Sequence, residues 1–121
     1  MSYVIDIVAV PMPDDDAEAW AAAVQVRDAA MSEGVGPTSD VFRELHRRLT
    51  ARFPCICDDE SGPWSDGPLI NDFGTQIAMV GIAGSRIDEV LPFVIETATG
   101  MNLYVFDHQV AEIHRPKAKR L

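Results

Sequence analysis

Phe53-Pro-Cys-Ile-Cys-Asp-Asp-Glu-Ser-Gly-Pro-Trp-Ser-Asp-Gly-Pro-Leu-Ile-Asn-Asp-Phe-Gly-Thr75 divides the chain. Strand and helix patterns precede it, and strand and helix patterns follow it. How its later half is read decides the fold. If Leu69-Ile70 is a short strand and Asn71-Asp72-Phe73-Gly74 a turn, the strand over 75–83 has a partner next to it in sequence. The Gly62-Pro63 and Gly67-Pro68 pairs break regular structure on either side of Trp64-Ser65-Asp66. A tryptophan bracketed in this way either folds back onto the core or stands out as an interface anchor, since tryptophan is enriched in binding hot spots. Cys55-Ile56-Cys57 puts both thiols on one face of an extended segment. With no further cysteine in the chain, and with His46, His108 and His114 at no ligand spacing, the pair reads as structural and no metal site is assigned.

Upstream, Tyr3–Val10 is rich in β-branched residues and ends at Pro11, which predicts a central strand. Asp14 is a candidate N-cap, with Asp15, Asp16 and Glu18 favoured in the first turn of the helix that follows. Ala17, Trp20, Ala21, Val24 and Met31 recur at helical spacing and predict its apolar stripe. Gly34 and Gly36-Pro37 end that helix. Thr38-Ser39-Asp40 offers the next N-cap. Val41, Phe42, Leu45, Leu49 and Phe53 form a core-facing row, opposite a basic strip of Arg43, His46, Arg47 and Arg48.

Downstream, Thr75–Ala83 is a second apolar strand. Ser85, with Asp88 three residues on, resembles a capping box for a helix over 86–99. Pro92 interrupts that helix or marks its start, and Gly100 is placed to end it. Met101–Asp107 predicts a strand, His108-Gln109 a turn, and Val110–His114 a short edge strand. The order, with the first helix set aside, is β-α-β-β-α-β. It predicts an α+β fold: a ferredoxin-like sheet with helices on one face, plus an extra N-terminal helix. The other face is open, or covered by the extra helix or by a second copy, so a homodimer through the sheet is among the arrangements allowed.

With 121 residues, 47% of them apolar, the chain is sized for one domain with a real core, and 115–121 reads as a frayed tail. The N-terminus lacks a basic region and a cleavage site, and no apolar run spans a bilayer, so the expected compartment is the cytoplasm and no membrane role is assigned. A formal net charge of −9 disfavours nucleic acid, whose phosphates need Lys and Arg. The charge is uneven. Residues 1–36 carry seven acids against one base, and residues 58–72 carry Asp58, Asp59, Glu60, Asp66 and Asp72 with no base. No G-x-S-x-G, H-E-x-x-H or phosphate-loop motif occurs, and Gly81-Ile-Ala-Gly84-Ser85 matches no nucleotide fingerprint. No catalytic residue and no cofactor is assigned; a Cys57–His46 pair at the end of the second helix is the weaker, enzymatic alternative.

Leu45-His-Arg-Arg-Leu-Thr-Ala-Arg-Phe-Pro-Cys-Ile-Cys57, Trp64-Ser-Asp-Gly-Pro-Leu69 and the late V-x-D-x-Q run at Val105, Asp107 and Gln109 resemble small bacterial cytoplasmic proteins of uncharacterised function. Some proteins of this type are immunity proteins, which neutralise a secreted toxin. Where the commoner late motif has proline, this chain has His108. The resemblance points to an immunity-type inhibitor, and the acidic charge adds the expectation of a non-catalytic protein-binding domain whose partner is a basic toxin domain. The residues expected at that contact are Asp58, Asp59, Glu60, Trp64, Ser65, Asp66 and Asp72, an acidic group around one aromatic. A small-ligand-binding regulatory domain is the other reading, and its mark would be a concave pocket.

Overall fold

A computed structural model describes residues 2–54, 63–65 and 69–116. The fold is α+β. A four-stranded antiparallel sheet is built from β1 (Ser2–Val8), β2 (Ile77–Ala83), β3 (Tyr104–Asp107) and β4 (Glu112–His114), in the order β2-β1-β3-β4. The helices are α1 (Asp16–Glu33), α2 (Asp40–Arg52) and α3 (Ile87–Gly100). β1 is central, as its near-continuous apolar run predicts: Ile5 pairs with Val80 on one side and Asp107 on the other.

Alternation along β1 sends its residues to two different cores. Ile5 and Ile7 face α2 and α3, packing with Phe42, Leu45, Leu49, Val80, Ile82, Val90, Val94 and Val105. Val8 faces α1, packing with Ala19, Ala23, Ala30, Ile77 and Phe106. The sheet is therefore covered on both faces, and the face that a second copy would have needed is taken by α1.

Four local expectations change. Leu69–Asp72 is a turn of 3-10 helix, not a strand. The neighbour of β2 on its outer side is instead an isolated bridge from Trp64 to Ile82, with Ser65 N–H donating to the Gly81 carbonyl at 2.9 Å, and a second bridge from Phe73 to Ala78. Ser85 makes no cap: Gly84–Arg86 is 3-10, and the N-cap position of α3 is Arg86, which makes no capping bond and instead donates to Glu89 at 2.6 Å. Gly100 stays helical as the last residue of α3, and Asn102 takes the left-handed conformation, φ 69°. Asn tolerates that region better than most residues because its side chain can bond locally. The other caps follow the usual chemistry. Asp15 accepts from Glu18 N–H at 3.0 Å, one residue beyond the expected Asp14, and Ser39 accepts from Phe42 N–H.

Gly74 joins the halves. The Thr75 N–H donates to the Val35 carbonyl at 3.0 Å, and Ser39 N–H donates to the Gly74 carbonyl at 3.1 Å. The approach is so close that a Cβ on Gly74 would lie 2.0 Å from the Val35 oxygen.

Candidate functional site

The outer flank of α1 is the first feature that packing leaves open. Ala19, Ala23 and Ala30 are buried against the sheet. The stripe expected from sequence lies elsewhere on the helix. Ala17, Ala21, Val24 and Met31 are exposed, Val24 at 44% and Met31 at 68%; only Trp20 of that set packs inward, edge-on to Phe106 at 5.1 Å and to His108 at 5.3 Å. The alanines on both sides of the helix let either side serve as core. Exposed Asp28 lies on the same side as Val24 and Met31, and Asp14, Asp15, Asp16 and Glu18 are exposed at the entry and first turn of the helix. The basic groups beside it are engaged. Arg27 reaches Asp6 at 3.6 Å, and Arg115 donates to the Pro13 and Asp14 carbonyls and to Asp16 at 2.8 Å.

Beneath α1 lies a buried carboxylate. Asp6 is 1% exposed; its Oδ2 meets His108 Nε2 at 2.7 Å, and its buried Oδ1 has no hydrogen-bond partner. A carboxylate that fixes an imidazole in this way is the orienting half of an acid–base pair. Among the described residues no hydroxyl or thiol bonds to the ring, so the pair lacks a nucleophile there. On the opposite sheet face, buried Asp107 accepts from Tyr3 Oη and from Gln109 N–H, the latter at 3.0 Å. The hydrogen bond to Asp107, then burial, then the charges of Asp107 and Glu112 push the Tyr3 phenol up to about 12. The D-x-Q run of the late motif thus closes the β3–β4 turn, since the Gln109 side-chain amide also donates to the Val4 carbonyl at 2.9 Å and to Asp107 Oδ1 at 3.1 Å.

One concave feature is a groove of about 620 Å³ between α2 and α3, lined by Arg47, Arg48, Ala51 and Arg52 from one helix and Phe93, Glu96, Thr97 and Gly100 from the other. Glu44 holds two of the arginines: Arg47 donates through Nε at 2.9 Å and Nη2 at 2.5 Å, and Arg48 through Nε at 2.7 Å. The Arg47 and Arg48 hydrogen bonds lower the Glu44 carboxyl to about 2. Arg52 lies over the rings of Phe53 and Phe93 at 5.2 and 5.3 Å.

Of the residues expected at a partner contact, the structure describes Trp64, Ser65 and Asp72. Asp58, Asp59, Glu60 and Asp66 lie outside the described residues, as do Cys55, Cys57 and residues 117–121. Trp64 takes the first of its two uses. It is 1% exposed, its indole N–H donates to the Phe53 carbonyl at 2.6 Å, and it sits edge-on to Phe53, so it is no exposed anchor. Ser65 is half-buried with an unsatisfied Oγ, and Asp72 is exposed. His46 is half-buried against Phe73 at 5.8 Å, and desolvation lowers its pKa. The groove was foreshadowed only by the basic strip of α2; its other wall lies some forty residues away in sequence. Among the described residues no group of three or more His, Cys, Asp or Glu side chains could hold a metal, and no helix is long and apolar enough to cross a membrane. No protein-family model, curated protein or solved structure matches the chain.

Proposed function

We propose that the protein is a non-catalytic protein-binding domain that presents the outer flank of α1 to a basic partner, with neutralisation of a bacterial toxin in the cytoplasm as the leading instance. The observation that carries this reading is that exposed Val24 and Met31 share one side of α1 with exposed Asp28, on a helix whose entry and first turn carry the exposed carboxylates of Asp14, Asp15, Asp16 and Glu18. Large apolar side chains left open beside charge of one sign mark a surface that gains by being covered, and the charge favours a partner of opposite sign. Asp58, Asp59, Glu60 and Asp66 add to the same charge preference as an independent acidic stretch. Trp64 is withdrawn from the contact. The ferredoxin-like description of the sheet belongs to the proposal as well: the Trp64–Ile82 bridge stands where that topology has its second strand, at the edge of β2.

The test is a comparison of variants. The tagged chain and its Val24→Glu/Met31→Glu variant are used to capture proteins from the native host at low and moderate salt, alongside Asp58→Lys/Asp59→Lys. A stoichiometric basic protein retained by the parent, lost as salt rises and lost in the α1 variant is the expected result. A partner lost only in the Asp58/Asp59 variant moves the contact to that stretch. A partner retained by both variants overturns the proposal.

A further inference from the structure

We propose that the groove between α2 and α3 is a binding site for a small organic oxyanion with a flat apolar body, its head taken by Arg52 and Arg48 and its body laid on Phe93 and Ala51. The volume, about 620 Å³, is that of a small-molecule site. The charge is arranged in the same sense. Three guanidinium groups line the α2 wall, and a single carboxylate, Glu96, lines the α3 wall.

The arginines differ in what they have left to offer. Arg47 commits both Nε and Nη2 to Glu44, whereas Arg48 commits Nε alone and keeps its Nη groups. Arg52 has no carboxylate partner among the described residues. Its Cζ lies 5.2 Å from the Phe53 ring centroid and 5.3 Å from that of Phe93, so ring contacts set its position while no carboxylate among the described residues takes its N–H donors. A guanidinium held in this way is suited to take a carboxylate, sulfonate or phosphate head in two parallel hydrogen bonds. Beyond the head, half-exposed Phe93 and the Ala51 methyl form a flat apolar floor. Gly100 leaves the far end unobstructed: a Cβ there would meet nothing within 4 Å. An arginine face that served only solubility would have no need of an aromatic floor or of an open end.

The probe is 1-naphthoate, titrated into the isotopically labelled full chain and followed by the backbone amides of Ala51, Phe93, Thr97 and Gly100. Acetate, which lacks the body, and 1-naphthalenemethanol, which lacks the charge, are the controls. Saturable shifts at these amides with a Kd below about 1 mM are expected. Arg52→Gln and Gly100→Leu should each weaken binding about tenfold or more, the first by removing a charged hydrogen-bonding head, the second by filling the space the body needs. Arg52 is exposed and the added Gly100 side chain meets open space, so both variants should keep a dispersed native spectrum. Shifts that do not saturate, a neutral control that binds as tightly as naphthoate, or an affinity unchanged in either variant would overturn the proposal.

Discussion

Replacing Trp64 by alanine tests the reassignment of that residue from surface to core. The indole is almost fully buried, so the change removes about 150–200 Å² of contact area, which at about 25 cal/mol per Å² is about 4–5 kcal/mol. The Phe53 carbonyl also loses its donor, about 1 kcal/mol more if water cannot reach it. Collapse of Phe53 and the 63–65 segment into the space recovers part of this, which puts the expected loss at about 4 kcal/mol, within the range for large-to-small core changes. A domain of this kind has about 5–15 kcal/mol in total, so the variant should still fold at low temperature with a clearly lowered midpoint. Trp64→Phe keeps most of the apolar area and loses chiefly the N–H bond, for about 1–2 kcal/mol. Urea unfolding followed by far-ultraviolet circular dichroism separates these values. With a slope of about 1.5 kcal/mol per molar urea, the alanine variant should unfold about 2–3 M earlier than the parent and the phenylalanine variant about 1 M earlier. An alanine variant within about 0.5 M of the parent at unchanged slope would refute the packing argument and return Trp64 to the surface.

Gly74→Ala should lower the midpoint of a thermal melt by more than the usual overpacked site, whose cost is about 1–3 kcal/mol, because the new Cβ meets a backbone oxygen at 2.0 Å; Gly100→Ala, in open space, should be neutral or slightly stabilising in the same melts. Asp6 gives opposite signs according to which partner is removed. Arg27→Ala should cost about 3 kcal/mol by weakening the compensation of a buried carboxylate, while Asp6→Val should be neutral or stabilising. Arg27 and His108 are 39% and 28% exposed and can turn to water, and valine suits a strand flanked by Val4 and Val8; a large loss in Asp6→Val would reverse this. Glu44, with its carboxyl held near 2, supplies stability that is present above its unfolded value of about 4.5 and disappears as pH falls towards 2. The stability difference between the parent and Glu44→Gln should therefore close over that window and shrink with added salt at neutral pH; a difference that does not change with pH would show that the Arg47 and Arg48 bonds contribute nothing.

What could be read from sequence was whatever had one physical solution. β1 was legible because a near-continuous β-branched run, broken only by Asp6, is stable only between two covered faces. α2 was legible because its apolar row and its arginines fall on opposite sides. α1 was legible as a helix but not in its orientation: alanine fits a tightly packed interface and a solvent face alike, so the larger Val24 and Met31 drew the reading to the wrong side. Leu69-Ile70 has the side chains of a strand, but the chain turns at Asn71 before a strand can form, and the bridge to β2 falls to Trp64. Of the candidate site, the acidic bias was visible in composition. The groove was not, because it exists only where the arginines of α2 come to stand opposite Phe93, Glu96 and Thr97, and no local pattern records that meeting.

The two isolated bridges on the outer side of β2 also bear on how the protein behaves at high concentration. An open edge of a sheet is a template onto which another chain can add a strand, and that is a common first step towards fibrils and amorphous aggregates. Here the long edge of β2 is occupied at Ala78 by Phe73 and at Ile82 by Trp64. The opposite edge ends in β4, only three residues long, followed by Arg115 and Pro116, a charge and a residue that cannot donate to a neighbouring strand. Loss of Trp64 would therefore do more than lower the midpoint: it would expose a sticky border, and precipitation on mild heating should set in before the variant has fully unfolded.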